Sequence, residues 1–129
     1  MKVPENLKYS KDHEWARLDD GKVVVGITDF AQQQLGDVVY IELPSLGTRV
    51  KAGGAFGVIE SVKAVSDLLS PVSGEVVDVN RELPDHPEWV NQDPYGKAWM
   101  IVVAPEDPSE MSFLMDAQGY AGFLAEEAG

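Results

Sequence analysis

Cysteine is absent from this 129-residue chain, and histidine occurs only at His13 and His86. The lack of thiols excludes disulfide bonds, thiolate nucleophiles and cysteine-based metal sites. A zinc site would need two isolated histidines and scattered carboxylates, so we expect no metal. Any redox chemistry must therefore come from a group attached to the chain. Long apolar runs are also missing, because nothing approaches the roughly 18 residues of a membrane helix, and we expect no membrane association.

Basic residues are scarce, since 10 lysines and arginines stand against 22 aspartates and glutamates, for a net charge of −12. This balance argues against a nucleic-acid partner, which needs clustered basic side chains. It favours partners with basic surfaces, although acidity for solubility alone gives the same balance. The first six residues resemble neither a secretory signal nor a transit segment. We expect a cytoplasmic, bacterial-type chain, with a mature mitochondrial form as the alternative.

The common signatures of catalysis are missing too. No serine lies in a nucleophile-elbow context, and the glycine-rich segment 53–57 lacks the Lys-Ser/Thr pair that completes a phosphate loop. His13 has no partner at metalloprotease spacing. The 22 acidic residues offer so many carboxylate pairs that none is informative. We therefore expect that the protein is not an enzyme.

The first 36 residues predict a β-hairpin followed by a short helix. Asp20 and Gly21 form a dipeptide typical of tight turns, here between strands over 8–18 and 22–27. Thr28 is a suitable N-cap, and the glycine eight positions later is a natural stop signal for the helix between them.

From residue 36 to residue 103 the chain consists of short β segments separated by glycine and proline. Residues 36–41 are echoed by residues 74–79, an offset of 38 positions, and residues 50–59 have a looser echo in 90–101. Two copies suit a pseudo-twofold pair of sheets in which each half covers the apolar face of the other.

The C-terminal part predicts a helical tail. Asp107 is an N-cap candidate, followed by a proline and a glutamate at favourable positions. Apolar side chains then recur at helical spacing, at Met111, Leu114 and Met115 and, after a second cap at Asp116, at Tyr120, Phe123 and Leu124. The whole chain, 1–129, is thus expected to form one mainly β domain, with a core over about 7–104 and the tail over about 107–126.

Residues 60–67 (ESVKAVSD) are the most informative stretch. Lys63 has a valine before it and another after it, with Glu60 three residues earlier and Asp67 four residues later. The segment 70–76 adds a turn signal that opens a new strand, so Lys63 is expected at the tip of a β-hairpin. Most lysines in charged turns are simply solvated, and an acidic adaptor with an unmodified lysine is one alternative.

The octapeptide and most of residues 7–125 closely resemble glycine cleavage system H proteins. The similar segments are residues 7–9, 13–15, 26–31, 35–39, 42–44, 57–64, 70–76 and 91–96. Biotin carriers place methionines beside their lysine, whereas here the neighbours are Val62 and Ala64. Lipoyl domains of 2-oxo acid dehydrogenases read Asp-Lys-Ala and lack the His-Glu-Trp hairpin and the helical tail.

This resemblance implies a lipoyl/biotinyl-type flattened β-sandwich, or barrel-sandwich hybrid, with lipoic acid joined to Lys63 by an amide. In the family, the oxidised lipoyl arm accepts an aminomethyl group from glycine at a PLP-dependent glycine decarboxylase (P protein). A tetrahydrofolate-dependent aminomethyltransferase (T protein) receives the one-carbon unit, and dihydrolipoamide dehydrogenase (L protein) reoxidises the arm. A lipoate ligase or lipoyltransferase attaches the group. The carrier itself is non-catalytic.

The resemblance also implies roles for two carboxylates. Glu14 and Asp67 would line a cleft that shelters the loaded arm, with Asp12 standing where the family has serine. Glu60 is hypothesised to help the lipoylating enzyme recognise the hairpin. Glu60 and Asp67 could instead be charges that flank an exposed turn and contribute little energetically. A lipoate relay, which donates its lipoyl group to other lipoyl domains, is the alternative within the same chemistry.

Overall fold

A computed structural model, which describes residues 1–128, contains two antiparallel β-sheets whose inner faces share one hydrophobic core. The six-stranded sheet has the order β1-β2-β3-β9-β8-β5 and the three-stranded sheet the order β4-β6-β7. The strands are β1 (Lys8–Tyr9), β2 (Glu14–Asp19), β3 (Lys22–Ile27), β4 (Val38–Glu42), β5 (Arg49–Val50), β6 (Ala55–Ser61), β7 (Val65–Leu69), β8 (Gly74–Val79) and β9 (Ile101–Pro105). The predicted mainly β sandwich is confirmed.

Helices connect several of the strands and follow the last one. They are α1 (Asp29–Leu35), α2 (Trp89–Gln92) and α3 (Ala117–Ala128), with 3₁₀ turns at Leu83–Asp85 and Pro108–Phe113. The internal helix and the helical tail are therefore both present, although the first part of the tail is 3₁₀ rather than α. No helix within residues 1–128 combines the length and the apolar character that crossing a bilayer would require.

Local signals account for the N-terminal hairpin and for α1. Asp20 and Gly21 have φ angles of 53° and 79° and connect β2 to β3. Thr28 caps α1, because its Oγ1 accepts a hydrogen bond from the Ala31 N–H at 3.2 Å. Gly36 ends the helix and donates its N–H to the Gln32 carbonyl at 3.0 Å. The predicted turn, cap and stop are all confirmed.

The single strand predicted over residues 8–18 is wrong, because residues 10–13 form a turn between β1 and β2. Within this turn the Ser10 Oγ donates to Glu14 Oε1 at 2.7 Å and accepts the Glu14 N–H at 3.1 Å. His13 adopts a φ of 68°, a left-handed conformation incompatible with a continuous strand. These interactions cause Glu14 to enter β2 with a buried side chain.

The predicted internal repeat is visible in the strand pairing. Ile41 of β4 pairs with Ile59, and Val79 of β8, which lies 38 positions later, pairs with Ile101. Each of the two strands also carries one extra residue, at Val39 and at the equivalent position 77. Such bulges bend the strand and increase its twist. Both halves therefore bend at the same point, and each contributes a curved wall to the core.

The looser echo predicted between residues 50–59 and 90–101 is wrong, because the two segments differ in secondary structure. The later segment contains α2 and a turn, and strand structure resumes only at Ile101. Pro94 contributes to the difference, since it lacks the N–H that a strand ladder uses. Asn91 then serves as a tertiary contact between α2 and α1 rather than as part of a sheet.

Two hydrophobic clusters hold these elements together. The main cluster lies between the sheets and includes Ile41, Ile59, Leu68, Val76 and Val103. The second cluster attaches the tail to the six-stranded sheet. In it the ring of Tyr120 stacks on that of Tyr9, with centroids 4.5 Å apart, while Met115 pairs with Tyr9 through an isolated bridge. Tyr120 and Leu124 are buried and Phe123 is partly buried, as their spacing predicts.

Gly57 marks the closest approach between β6 and β4. A Cβ built on Gly57 would lie 2.2 Å from the carbonyl oxygen of Glu42, a backbone atom that cannot rotate away. We expect Gly57→Ala to lower the free energy of unfolding by about 2–3 kcal/mol, as overpacking does elsewhere. The measurement is urea-induced unfolding. Gly122→Ala is the control, because a Cβ on Gly122 meets nothing within 4 Å. Equal midpoints for the two variants would contradict the close packing.

Candidate functional site

Lys63 lies at the tip of the hairpin that joins β6 to β7, and its side chain is exposed. The adjoining strands pair along their length up to Glu60 and Val65. Val62 and Val65 are also exposed, by 69% and 67%. The tip therefore presents a lysine amine between apolar surface groups, where another protein can reach it.

Ser61 gives this tip a defined shape. Its Oγ accepts hydrogen bonds from the backbone N–H groups of Lys63 and Ala64, at 3.3 and 3.1 Å. The Ser61 N–H donates to the Ala64 carbonyl at 2.8 Å, and the Val62 N–H donates to the Asp37 carbonyl at 3.0 Å. The turn is thus closed on itself and tied to the residue that precedes β4. These bonds satisfy backbone groups that an exposed loop would leave to water.

A cleft of about 190 Å³ lies beside this hairpin, between α1, β7 and the turn before β2. Its floor is apolar, and its wall carries polar groups. The floor consists of Ile27, Phe30, Ala31, Leu35, Ile59 and Leu68, and the polar groups are Asp12, His13, Glu14, Gln34, Ser66 and Asp67. Three of these polar residues carry carboxyl groups, so the cleft combines an apolar lining with acidic side chains.

The structure brings Glu14 and Asp67 together on the wall of this cleft, with Asp12 beside them. Glu60 lies elsewhere, on β6, where it pairs with Tyr40 on one side and Val65 on the other. Lys63 is outside the cleft. However, the strands that lead to and from its turn supply Ile59 and Asp67 to the cleft wall.

Glu14 is the one deeply buried carboxyl of the cleft, only 3% exposed. Burial raises the pKa of Glu14 to about 8, and the negative charge of Asp12 acts in the same direction. Hydrogen bonds from Ser10 and from the backbone of Leu69 oppose this shift without cancelling it. At neutral pH this carboxyl is therefore largely protonated. A cation placed beside it would favour the ionised form.

His13 links the cleft to the C-terminal helix, a role that its position in the sequence did not reveal. Its Nδ1 lies 2.8 Å from the Tyr120 hydroxyl, and its Nε2 lies 3.2 Å from Glu127 Oε2. The Tyr120 hydroxyl in turn lies 2.8 Å from Thr28 Oγ1. These partners are separated by more than 90 residues in the chain, so no local pattern could have indicated them. The tail thus supports the wall from which Glu14 projects.

The apolar floor was also missed by sequence reasoning. Phe30 and Leu35 of α1 both line the cleft, and Leu35 also contacts the main core. Within the part of the chain that the structure describes, no group of three or more His, Asp or Glu side chains could hold a metal ion.

Known proteins of one family match nearly the whole chain. The family model described as "Glycine cleavage H-protein" matches residues 7–127. A glycine cleavage system H protein from Anaeromyxobacter sp. (strain K) is 56% identical over 127 residues, which cover 98% of this chain and 99% of the relative. The H protein of Oceanobacillus iheyensis is 52% identical over 126 residues, covering 98% and 100%.

A solved structure agrees with these sequence matches. The crystal structure of a glycine cleavage system H protein from Mycobacterium marinum superimposes with a TM-score of 0.87 at 41% identity, covering 95% of this chain and 99% of that one. The resemblance noted in the sequence is confirmed. The exposed lysine, the cleft beside it and the paired sheets therefore belong to a member of the glycine cleavage H-protein family.

Proposed function

We propose that Lys63 carries lipoic acid in amide linkage and that the cleft beside it shelters the loaded end of the arm. As a member of its family, the chain is a non-catalytic lipoyl carrier of the glycine cleavage system. The observation that carries the proposal is an exposed lysine, on an ordered tip, beside an apolar cleft walled by carboxylates. The family relationship does not favour a lipoate relay.

The residues of the site suit such a group. Lipoic acid, when attached, supplies a dithiol that can be oxidised and reduced and that can hold a one-carbon cargo. The chain has no thiol of its own, so this chemistry must be brought to it. The apolar floor fits the hydrocarbon part of an arm, and it excludes water from whatever lies against it. Glu14, Asp67 and Asp12 provide negative partners for a cationic amine at the end of the arm.

The enzymes that act on this carrier are proposed from the same family relationship. They are the PLP-dependent glycine decarboxylase, the aminomethyltransferase and dihydrolipoamide dehydrogenase, together with the lipoate ligase or lipoyltransferase that modifies Lys63. A net charge of −12 supports partners with basic docking surfaces. We also propose the cytoplasm as the compartment, in keeping with the bacterial origin of the relatives described above.

We expect Glu60 to assist recognition by the lipoylating enzyme. Its carboxylate lies on the outer face of β6, three residues before Lys63, between Tyr40 and Val65. Glu60→Ala should slow lipoylation by about tenfold, the effect of losing one charge-assisted contact. The measurement is the initial rate of lipoyl transfer to the purified chain, followed by intact mass.

Glu75→Ala is the matched control for this test, because Glu75 is an exposed strand glutamate of the other sheet. Lys63→Arg should accept no lipoyl group at all. If Glu60→Ala is modified as fast as Glu75→Ala, the role proposed for Glu60 is wrong, while the role of Lys63 is unaffected.

Glu14 is expected to protect the loaded carrier. Glu14→Gln keeps the shape of the side chain but cannot ionise, so the cationic end of the cargo loses its buried partner. The variant should be lipoylated normally and should release ammonia and formaldehyde about tenfold faster once loaded, equivalent to roughly 1.4 kcal/mol. Release at the wild-type rate would contradict this role.

The pH dependence of unfolding checks the state of Glu14 independently of any attached group. The folded-state pKa is about 8 and the ordinary value is 4.5, so the folded protein holds this proton more tightly. The contribution of Glu14 to the free energy of unfolding is complete below pH 4.5. As the pH rises from 4.5 to about 8, the folded protein loses a few kcal/mol of this contribution. Glu14→Gln should lack that loss, as measured by urea unfolding from about pH 5 to about pH 9. Parallel curves for the two proteins would contradict the buried, protonated state.

A further inference from the structure

The side chain of Lys63 lies against the end of α1 rather than extending freely into solvent. A Cβ built on Gly36 would lie 3.3 Å from Lys63 Cε and 3.9 Å from both Cδ and Nζ. Contacts of 3.3 Å are tighter than most Cβ contacts in proteins. The stem of the lysine therefore crosses the backbone at a point where any residue with a side chain would crowd it.

This end of α1 is held in place by Asn91. The Asn91 Nδ2 donates to the Gly36 carbonyl at 2.8 Å and to Gln32 Oε1 at 3.0 Å. Its Oδ1 accepts the Val38 N–H at 2.9 Å. One side chain from α2 thus joins the last turn of α1 to the start of β4. The surface under the lysine stem is therefore a fixed feature of the fold.

The same surface lies between Lys63 and the cleft. Gln34 and Leu35, the two residues before Gly36, both line the cleft. On the other side, the Val62 N–H bonds the carbonyl of Asp37, the residue after Gly36. The lysine stem therefore already lies along a route from the hairpin tip to the cleft that passes Gly36.

We propose that Gly36, held by Asn91, is the pivot over which the arm on Lys63 bends into the cleft. This inference rests on the proposed function. Gly36 is a positioning residue in this role, since the absence of a side chain leaves room for the lysine stem. Its φ of 78° is a second reason for glycine at this position, and the test must separate the two reasons.

Gly47 provides the matched control. Its φ is 85°, close to that of Gly36, but a Cβ built on it meets nothing within 4 Å. Gly36→Ala and Gly47→Ala both place a side chain at a residue with positive φ, and only the first crowds Lys63. In the unmodified wild-type protein, NMR should show nuclear Overhauser contacts between the Lys63 ε-protons and the Gly36 α-protons. The contacts between these two residues should be weakened in Gly36→Ala and unchanged in Gly47→Ala.

The lipoylated and loaded proteins supply the second readout. Both variants should be lipoylated at the wild-type rate, because the hairpin itself is unchanged. Release of ammonia and formaldehyde from loaded Gly36→Ala should be about fivefold faster than from loaded Gly47→Ala. Should Gly36→Ala fail to fold, Asn91→Asp takes its place, because it keeps the acceptor for Val38 but cannot donate to the Gly36 carbonyl.

The outcomes distinguish this inference from the proposed function. If loaded Gly36→Ala and loaded Gly47→Ala release ammonia and formaldehyde at the same rate, and the loaded wild type releases them slowly, the pivot is overturned and the carrier function is left intact. Equal release from Asn91→Asp and wild type would overturn it in the same way. A wild-type protein that takes no lipoyl group on Lys63 would overturn the proposed function and the pivot with it.

Discussion

The packing of Ile59 and Leu68 between the two sheets is the constraint on which the site depends. Both side chains are buried in the main core, and both also form part of the cleft floor. They lie on β6 and β7, the strands on either side of the Lys63 turn. Truncating such residues typically costs about 2–5 kcal/mol, so neither strand can shift without a large loss of stability. The lysine and the cleft therefore keep a constant relation to each other.

A fixed position of the lysine relative to the cleft suits a carrier that must present its lysine to enzymes and protect its cargo from water. The turn is closed by Ser61 and flanked by exposed valines, so an enzyme can engage the lysine without unfolding the hairpin. The cleft offers an apolar floor and a carboxyl whose ionised form is disfavoured by burial. A cationic cargo and an ionised Glu14 favour each other, because each supplies the charge that the other lacks. The turn that presents the lysine and the cleft that shelters the cargo are thus different surfaces of one rigid unit.

The sequence predicted those parts of the fold that depend on local chemistry. The turn at Asp20 and Gly21, the cap at Thr28 and the tip at Lys63 each arise from a few adjacent residues. The repeat was detectable because equivalent strands carry similar apolar patterns. The strand over 8–18 was mispredicted because its interruption depends on a hydrogen bond between Ser10 and Glu14. The helix α2 was missed because the loose echo of residues 50–59 indicated β structure there.

The site was only partly accessible to the same reasoning. Glu14 and Asp67 were proposed as cleft residues from family resemblance, but no pattern indicates that Glu14 is almost fully buried or that its pKa is raised. His13, Tyr120 and Glu127 come together from opposite ends of the chain. Asn91 lies 55 residues from the Gly36 carbonyl that it bonds. Contacts of this kind arise from tertiary packing, which a single sequence encodes but does not display.

Intact mass with peptide mapping, on the protein isolated from its native cell, establishes whether Lys63 carries lipoate. The expected result is a lipoyl adduct confined to the peptide that contains Lys63, with every other lysine unmodified. A bare Lys63 in cells supplied with lipoate, or an adduct on a different lysine, would contradict the claim that this hairpin is the attachment site.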